Sequence, residues 1–67
     1  MNAIPQDFAE ALRKAGLADF FSGCTDPHQK EYLKWIAEAK RPETRKSRIA
    51  KATQMLSAKR AEERAPR

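Results

Sequence analysis

Three of the four prolines in this 67-residue chain stand at the start of a stretch with helical periodicity: Pro5, Pro27 and Pro42. Proline fixes φ near the helical value and lacks the N–H that a first turn leaves unpaired, so it is favoured at the first position of a helix and not inside one. The prolines therefore divide the chain into helical segments. With two glycines and no alternating run of β-branched or aromatic residues, little of the sequence favours strands. The sequence predicts an all-α fold.

The first predicted helix begins at Pro5 and ends near Gly16, a residue type that suits the left-handed position after a helix. A short helical turn from Leu17 to Ser22 is expected to follow and to carry Phe20 and Phe21 inward. The apolar side chains of the first helix recur with the i, i+3, i+4, i+7 spacing of a single face: Phe8, Ala11, Leu12 and Ala15.

The second predicted helix has the clearest N-terminal signal. Asp26 is a favourable N-cap, Pro27 follows it, and Gln29 completes a capping-box pattern. The indole of Trp35 is the largest side chain of the sequence, and we expect it at the centre of a small core. One side of this helix is predominantly apolar: His28, Tyr32, Trp35, Ile36 and Ala39, with Leu33 at its edge.

The third predicted helix begins at Pro42, because the residue before a proline avoids helical geometry and so ends the preceding helix. From Ser57 onward the sequence permits a helix but has no apolar face, and we expect it to fray. These limits predict a helical domain over residues 1–58 and a flexible basic tail over residues 59–67. The apolar stripe of this helix is formed by Ile49, Ala52 and Leu56.

The predicted architecture is a small bundle of three main helices plus a short helical turn around a single-layer core. A chain of this length buries only ~60% of the surface it exposes when unfolded, so a deep, enclosed active-site cavity is not expected. The predicted core consists of Phe8, Leu12, Phe20, Phe21, Tyr32, Trp35, Ile36, Ile49 and Leu56. Tyr32 and Trp35 have a second interpretation as stacking platforms for nucleic-acid bases, but their place beside Ile36 favours packing.

The sequence carries few residues for catalysis or metal binding. The single cysteine, Cys24, cannot form a disulfide within the chain, and with the single histidine, His28, it cannot supply the four ligands of a structural zinc site. The two residues are close enough in sequence for a nucleophile–base pair, yet no third group or oxyanion loop accompanies them. We expect His28 to cap or pack against a neighbouring helix, and we predict a protein that is not an enzyme and has no cofactor.

The sequence has no feature of export or membrane insertion. The N-terminus lacks the basic and apolar regions of a signal peptide, and no stretch approaches the roughly 18 apolar residues that span a bilayer. We therefore expect a cytoplasmic protein that does not insert into membranes, and by default a monomer.

The positive charge is concentrated in the C-terminal part of the chain. Residues 1–39 carry a net charge of −2, whereas residues 40–67 have ten Lys and Arg against three acids, a net charge of +7. An anionic partner would contact the second part. The other interpretation is a solvated charged face that serves solubility alone. Arg45 has a second interpretation, in which it reaches a carboxylate or the C-terminal carbonyls of the second helix. The predicted contact residues are Lys40, Arg41, Arg45, Lys46, Arg48 and Lys51.

A longer motif overlaps this basic segment. Residues 26–45 read DPHQKEYLKWIAEAKRPETR, and the pairs Arg48-Ile49 and Met55-Leu56 follow. The pattern of His four residues before Tyr, then Trp-Ile and Ala-Lys-Arg-Pro-Glu-Thr-Arg, resembles the helical module of the bacteriocin-protection, YdeI/OmpD-associated family. Counting the N-terminal helix and Phe-rich turn, the resemblance covers about residues 4–58.

The resemblance implies association with an outer-membrane porin and protection against toxic peptides, and it implies no reaction. We therefore predict a small non-enzymatic interaction module with a protein partner, linked to bacteriocin or antimicrobial-peptide resistance. The alternative is a nucleic-acid-binding module in which the Lys40–Lys51 segment lies on the phosphate backbone. A membrane-surface role ranks third, because the third helix has a narrow apolar face without aromatic residues.

Overall fold

The computed structural model describes residues 3–64, and within that range the secondary structure is entirely helical. This confirms the all-α prediction and the three main helices with one short one. The helices are α1 (Gln6–Lys14), α2 (Ala18–Ser22), α3 (Asp26–Ala37) and α4 (Pro42–Arg64).

The prolines mark the helix starts closely but not to the residue. Pro42 is the first residue of α4, as predicted, whereas Pro5 occupies the N-cap of α1, one residue before the helix. Asp26 is the first residue of α3, and the N-cap is the extended Thr25 (φ −67°, ψ 155°). The predicted N-cap was therefore one residue too late, an offset within the usual uncertainty of helix boundaries.

The junction between α1 and α2 is a Schellman motif around Gly16. The φ of Gly16 is +70°, its N–H donates to the Arg13 carbonyl at 3.1 Å, and the Leu17 N–H donates to the Leu12 carbonyl at 2.7 Å. In this motif the residue after the glycine commonly packs against the last turn of the helix. Both Leu12 and Leu17 are accordingly buried.

The core is centred on two phenylalanines, and not on the indole as the sequence predicted. Phe8 and Phe21 are fully buried and their rings meet edge to face, with centroids 5.3 Å apart. Tyr32 adds a second edge contact to Phe21 at 6.1 Å. Trp35 is only half-buried. The buried apolar residues of the core are Phe8, Leu12, Leu17, Phe21, Ile36, Ile49, Ala52 and Leu56.

Six of the nine predicted core residues therefore lie in the core, and the other three lie at its rim. Phe20, Tyr32 and Trp35 are partly buried and pack against the core from outside. The prediction missed Leu17, whose burial follows from the Schellman motif. It also left Ala52 out of the core, although the residue was placed on the apolar stripe of its helix.

The long helix α4 organises the bundle, since both α1 and α3 pack against it while α2 packs on α1. Arg45 and Arg60 of α4 contact Asp7 and Gly16, the two ends of α1, so α1 and α4 run in the same direction. Arg48 contacts the last turn of α3, so α3 and α4 run antiparallel. The 41 Å long axis of the molecule is consistent with a 23-residue helix about 34 Å long.

Helix α4 extends into the predicted tail, whose flexibility stays a prediction. Helix α4 continues to Arg64, and the Arg60 guanidinium donates from Nη1 to the Gly16 carbonyl at 2.6 Å. The helix therefore continues past the end of its apolar stripe, and this contact fastens the extension to α1. Residues 65–67 lie outside the described range, and the tail prediction for them stays a prediction. Among the described helices, none combines the length and the apolar character needed to cross a bilayer.

Candidate functional site

The six predicted contact residues lie in the loop after α3 and in the first half of α4. Their side chains fall into two groups. Arg45 and Arg48 are half-buried, whereas the side chains of the other four are exposed to solvent: Lys40, Arg41, Lys46 and Lys51. We call these four the exposed cations.

Arg45 connects the start of α4 to the start of α1 through Asp7. Its Nε donates to Oδ2 of the carboxylate at 2.6 Å and its Nη2 to Oδ1 at 3.2 Å, a bidentate arrangement. Oδ1 also accepts the Phe8 N–H at 2.9 Å. The hydrogen bond from Arg45 holds the pKa of Asp7 below its usual range and raises the pKa of Arg45 in return. Of the two interpretations for Arg45, the carboxylate partner is confirmed.

Arg48 fastens the end of α3 in a similar way. Its Nη1 donates to the Trp35 carbonyl at 2.6 Å, and its guanidinium carbon lies 5.4 Å from the centroid of the indole. The last carbonyls of a helix have no partner within the helix and carry partial negative charge, so a cation stabilises them. The position over the ring adds a cation–π contact.

The exposed cations do not form one flat basic face. Lys46 and Lys51 are five residues apart, which places them about 140° apart around α4. Lys46 lines a groove between α1 and α4, and Lys51 does not. Lys40 and Arg41 lie in the loop before the helix. A partner in contact with all four must follow the loop and curve around the first turns of α4.

The groove between α1 and α4 has a volume of about 650 Å³. Ala11 and Ile49 contribute apolar surface to it. Its charged lining is balanced between three acids and three bases: Asp7, Glu10 and Glu43 against Lys14, Arg45 and Lys46. A balanced lining favours a polypeptide over a polyanion as the occupant, because a polyanion would meet as many carboxylates as cations.

His28 and Cys24 line a second groove of about 380 Å³, together with Lys59 of α4. His28 is exposed, so the prediction that it packs against a neighbouring helix is wrong, whereas the alternative that it caps one stays a prediction. The half-buried thiol of Cys24 donates to the Phe20 carbonyl at 3.5 Å. Over residues 3–64 the structure brings no three His, Cys, Asp or Glu side chains together in a way that would hold a metal ion.

Gln29 is buried in α3, although the sequence predicted that His28, and not Gln29, would lie on the buried side of this helix. The Gln29 side chain is 7% exposed, and its Nε2 donates to the carbonyls of Phe21 and Cys24 at 3.0 Å and of Ser22 at 3.3 Å. Its amide therefore satisfies carbonyls at the end of α2, whereas the capping-box prediction assigned it to the start of α3. Its spacing of seven residues from Ile36 is the sequence signal for this burial.

Comparison with protein families gives a match over most of the chain. The family model described as bacteriocin-protection, YdeI or OmpD-associated matches residues 3–59 of the 67 residues. The match includes α1 to α3 and most of α4, and so all six predicted contact residues. No curated protein and no solved structure gives a significant match. The chain therefore belongs to the bacteriocin-protection, YdeI or OmpD-associated family.

Proposed function

We propose that this protein is a non-enzymatic helical interaction module that contacts a protein partner through the exposed cations. Its role would be protection against bacteriocins or antimicrobial peptides, in keeping with the description of its family. We further propose that it acts in the cytoplasm.

The observation that carries this proposal is that two of the six predicted contact residues bind other helices of the bundle, whereas the other four are exposed. Arg45 and Arg48 are already bonded to Asp7 and Trp35, so recruiting them to a partner would break contacts between helices. The exposed cations are solvated and can meet a partner without any such loss. The groove beside Lys46 supplies apolar surface next to them.

The geometry around Cys24 supports a role without catalysis. The Cys24 thiol has the Phe20 carbonyl as its hydrogen-bond partner and not the His28 ring, so the two residues do not form a nucleophile–base hydrogen bond. His28, the other candidate for catalysis, is exposed in an open groove. An open groove does not exclude water from a reacting group.

A resistance assay with matched charge variants tests the proposal. The variant Lys40→Gln/Arg41→Gln/Lys46→Gln removes three cations from the proposed surface. The control Arg13→Gln/Lys30→Gln/Lys34→Gln removes one arginine and two lysines from exposed positions elsewhere. We expect bacteria that express the wild type or the control to survive a bacteriocin challenge better than bacteria that express the first variant. Equal survival of both variants would contradict the assignment of the surface.

The alternative, nucleic-acid binding, is favoured by the net charge of +7 over residues 40–67. Titrating DNA and RNA at two salt concentrations tests it, since contacts with phosphates make affinity fall steeply with salt. The same Lys40/Arg41/Lys46 variant should then bind less tightly than its control. We expect the two variants to bind nucleic acid equally, because Lys46 and Lys51 point about 140° apart and carboxylates lie beside Lys46.

A further inference from the structure

The seam between α3 and α4 has an apolar patch on its outer side. Tyr32 and Trp35 of α3 and Met55 of α4 line a shallow groove of about 360 Å³, and we call these three residues the aromatic–methionine patch. Tyr32 and Trp35 are half-buried. Met55 is 41% exposed and is the one exposed large hydrophobic side chain in the described part of the chain.

The residue types and their support are those of a protein-binding surface. Trp, Tyr, Met and Arg are enriched where protein interfaces are best buried, and Trp, Tyr and Arg supply most binding hot spots. Arg48 holds the indole of Trp35 from one side and the carbonyl of the same residue at 2.6 Å, so the ring is fixed before a partner arrives. The flexible thioether of Met55 adapts to the shape of an incoming side chain.

The α4 side of the patch is cationic. Lys51 and Lys59 are four residues before and after Met55, so they lie on the same face of the helix one turn to either side. Both are exposed, Arg48 lies seven residues before Met55, and the exposed Glu62 lies seven residues after it, so cations outnumber carboxylates on this face of α4. On the α3 side, Glu31 lines the groove. An occupant with carboxylates along α4 and an apolar anchor in the groove complements this arrangement.

Two other occupants fit less well. A second copy of this chain would bring together two surfaces that each carry three cations against the two carboxylates of Glu31 and Glu62, and the excess positive charge repels. A single-stranded nucleic acid needs a free ring face for stacking, but one face of Trp35 is taken by Arg48, and Glu31 would repel phosphates.

We propose that the aromatic–methionine patch docks an acidic, apolar-anchored segment of the protein partner. An apolar side chain of that segment inserts between Tyr32, Trp35 and Met55, and its carboxylates pair with Lys51 and Lys59. This inference rests on the proposed function and deepens it, because it names a second contact surface and the chemistry of the segment that it recognises.

The single tryptophan of the chain makes the test direct, because any change in indole fluorescence reports on Trp35. The probe is a synthetic helical peptide of about 14 residues, four turns, with leucines along one face and glutamates elsewhere. We expect a blue shift of the emission and saturable binding. A peptide with serines in place of the leucines should leave the emission unchanged.

Variants of the patch and a matched control locate the binding. Met55→Ala should weaken the peptide about tenfold, which corresponds to ~1.4 kcal/mol. Lys51→Gln/Lys59→Gln should weaken it and reduce its dependence on salt. The control Gln54→Ala changes an exposed neighbour of Met55 on the same helix and should leave the affinity unchanged. Because Met55, Lys51 and Lys59 are exposed, these substitutions preserve the fold, which circular dichroism verifies.

Several results would overturn the patch proposal. The first is equal binding of the serine peptide and the leucine peptide, and the second is equal affinity of Met55→Ala and the wild type for the leucine peptide. The third is an emission shift with an oligo-dT strand that matches the shift with the leucine peptide. The fourth is an emission shift that depends on protein concentration alone. Peptide binding that is lost in the Lys40/Arg41/Lys46 variant but kept in Met55→Ala would overturn the patch and leave the proposed function standing. Failure of the resistance assay with binding at the patch intact would do the reverse.

Discussion

Helices α1 and α4 contribute different kinds of group to the contacts that hold the bundle together. The nine residues of α1 contribute the buried side chains of Phe8 and Leu12, and the ends of this helix accept the contacts of Arg45 and Arg60. The 23 residues of α4 have a sparser apolar face, and three arginines supplement it by contacting other elements. The difference teaches that much of the positive charge in α4 is part of the fold. Net charge therefore overstates how much of this helix is available to a partner.

The three arginines each contact a group at the end of a helix. Arg45 meets a carboxylate at the start of α1, Arg48 a carbonyl in the last turn of α3, and Arg60 the Gly16 carbonyl just after α1. Two of the three therefore neutralise carbonyls at or just beyond the C-terminal ends of helices, where partial negative charge accumulates. The guanidinium suits this task because its charge is permanent and its donors are fixed in a plane.

The largest expected effect concerns the buried aromatic rings of the core. Phe21→Ala removes the ring that Phe8 and Tyr32 both contact and should cost about 3–5 kcal/mol, comparable with the whole stability of a small domain. Trp35→Ala should cost less, about 2 kcal/mol, because the indole is only half-buried. Urea unfolding followed by circular dichroism measures both. A larger loss of stability for Trp35→Ala than for Phe21→Ala would contradict a core centred on the phenylalanines and favour one centred on the indole.

A smaller effect concerns the turn that ends α1. Gly16→Ala forces a side chain into the left-handed region at φ +70° and should cost about 1–2 kcal/mol. Gly23→Ala is the matched control, because its φ of −79° is ordinary and the new methyl group would meet only two carbonyl oxygens, the nearer at 3.5 Å. That variant should be neutral or slightly more stable. Thermal unfolding of the pair decides, and equal melting temperatures would rule out a special role for the Schellman glycine.

The smallest effect is the pH dependence of the Asp7–Arg45 pair. Because the pKa of Asp7 is lowered in the folded protein, its stabilising contribution is present above the unfolded value, about 4, and is lost as the pH falls through the folded value. The side chain of Asp7 is 47% exposed and that of Arg45 31%, so solvent screens the pair and the effect is small. Asp7→Asn should be less stable than wild type at pH 7 and approach it at pH 3. A stability difference that grows on acidification would have the opposite sign.

The fold was predictable because its determinants are local. A proline at or next to the start of each of the three main helices, the glycine after α1 and the period of the apolar residues all lie within a few residues of the elements that they define. The face of α3 was harder to predict. Its apolar residues extend over a wide arc of the helix, and the sequence does not say which part of the arc α4 covers. The structure centres the contact on Ile36, which turns Gln29 inward and leaves Trp35 at the edge.

Basic composition indicates the region of the candidate site, and the contact role of that region stays a prediction. Which cations are structural could not be predicted residue by residue, because the partners of Arg48 and Arg60 are 13 and 44 residues away in sequence. Only the packing of the helices brings those carbonyls within reach, so the exposed and the structural cations look alike in the sequence. The same reason applies to the extension of α4 beyond its apolar stripe, since no apolar side chain marked the contact of Arg60.

The central claim, that arginines of α4 hold the bundle while other cations remain free, is tested most directly by one pair of double variants. Arg48→Gln/Arg60→Gln removes two structural guanidiniums, and Arg13→Gln/Arg41→Gln removes two exposed ones with the same change in charge. In urea unfolding we predict a loss of about 2 kcal/mol for the first pair, about 1 per hydrogen bond. The second pair should stay within about 0.5 kcal/mol of wild type. Equal losses for the two pairs would contradict the account.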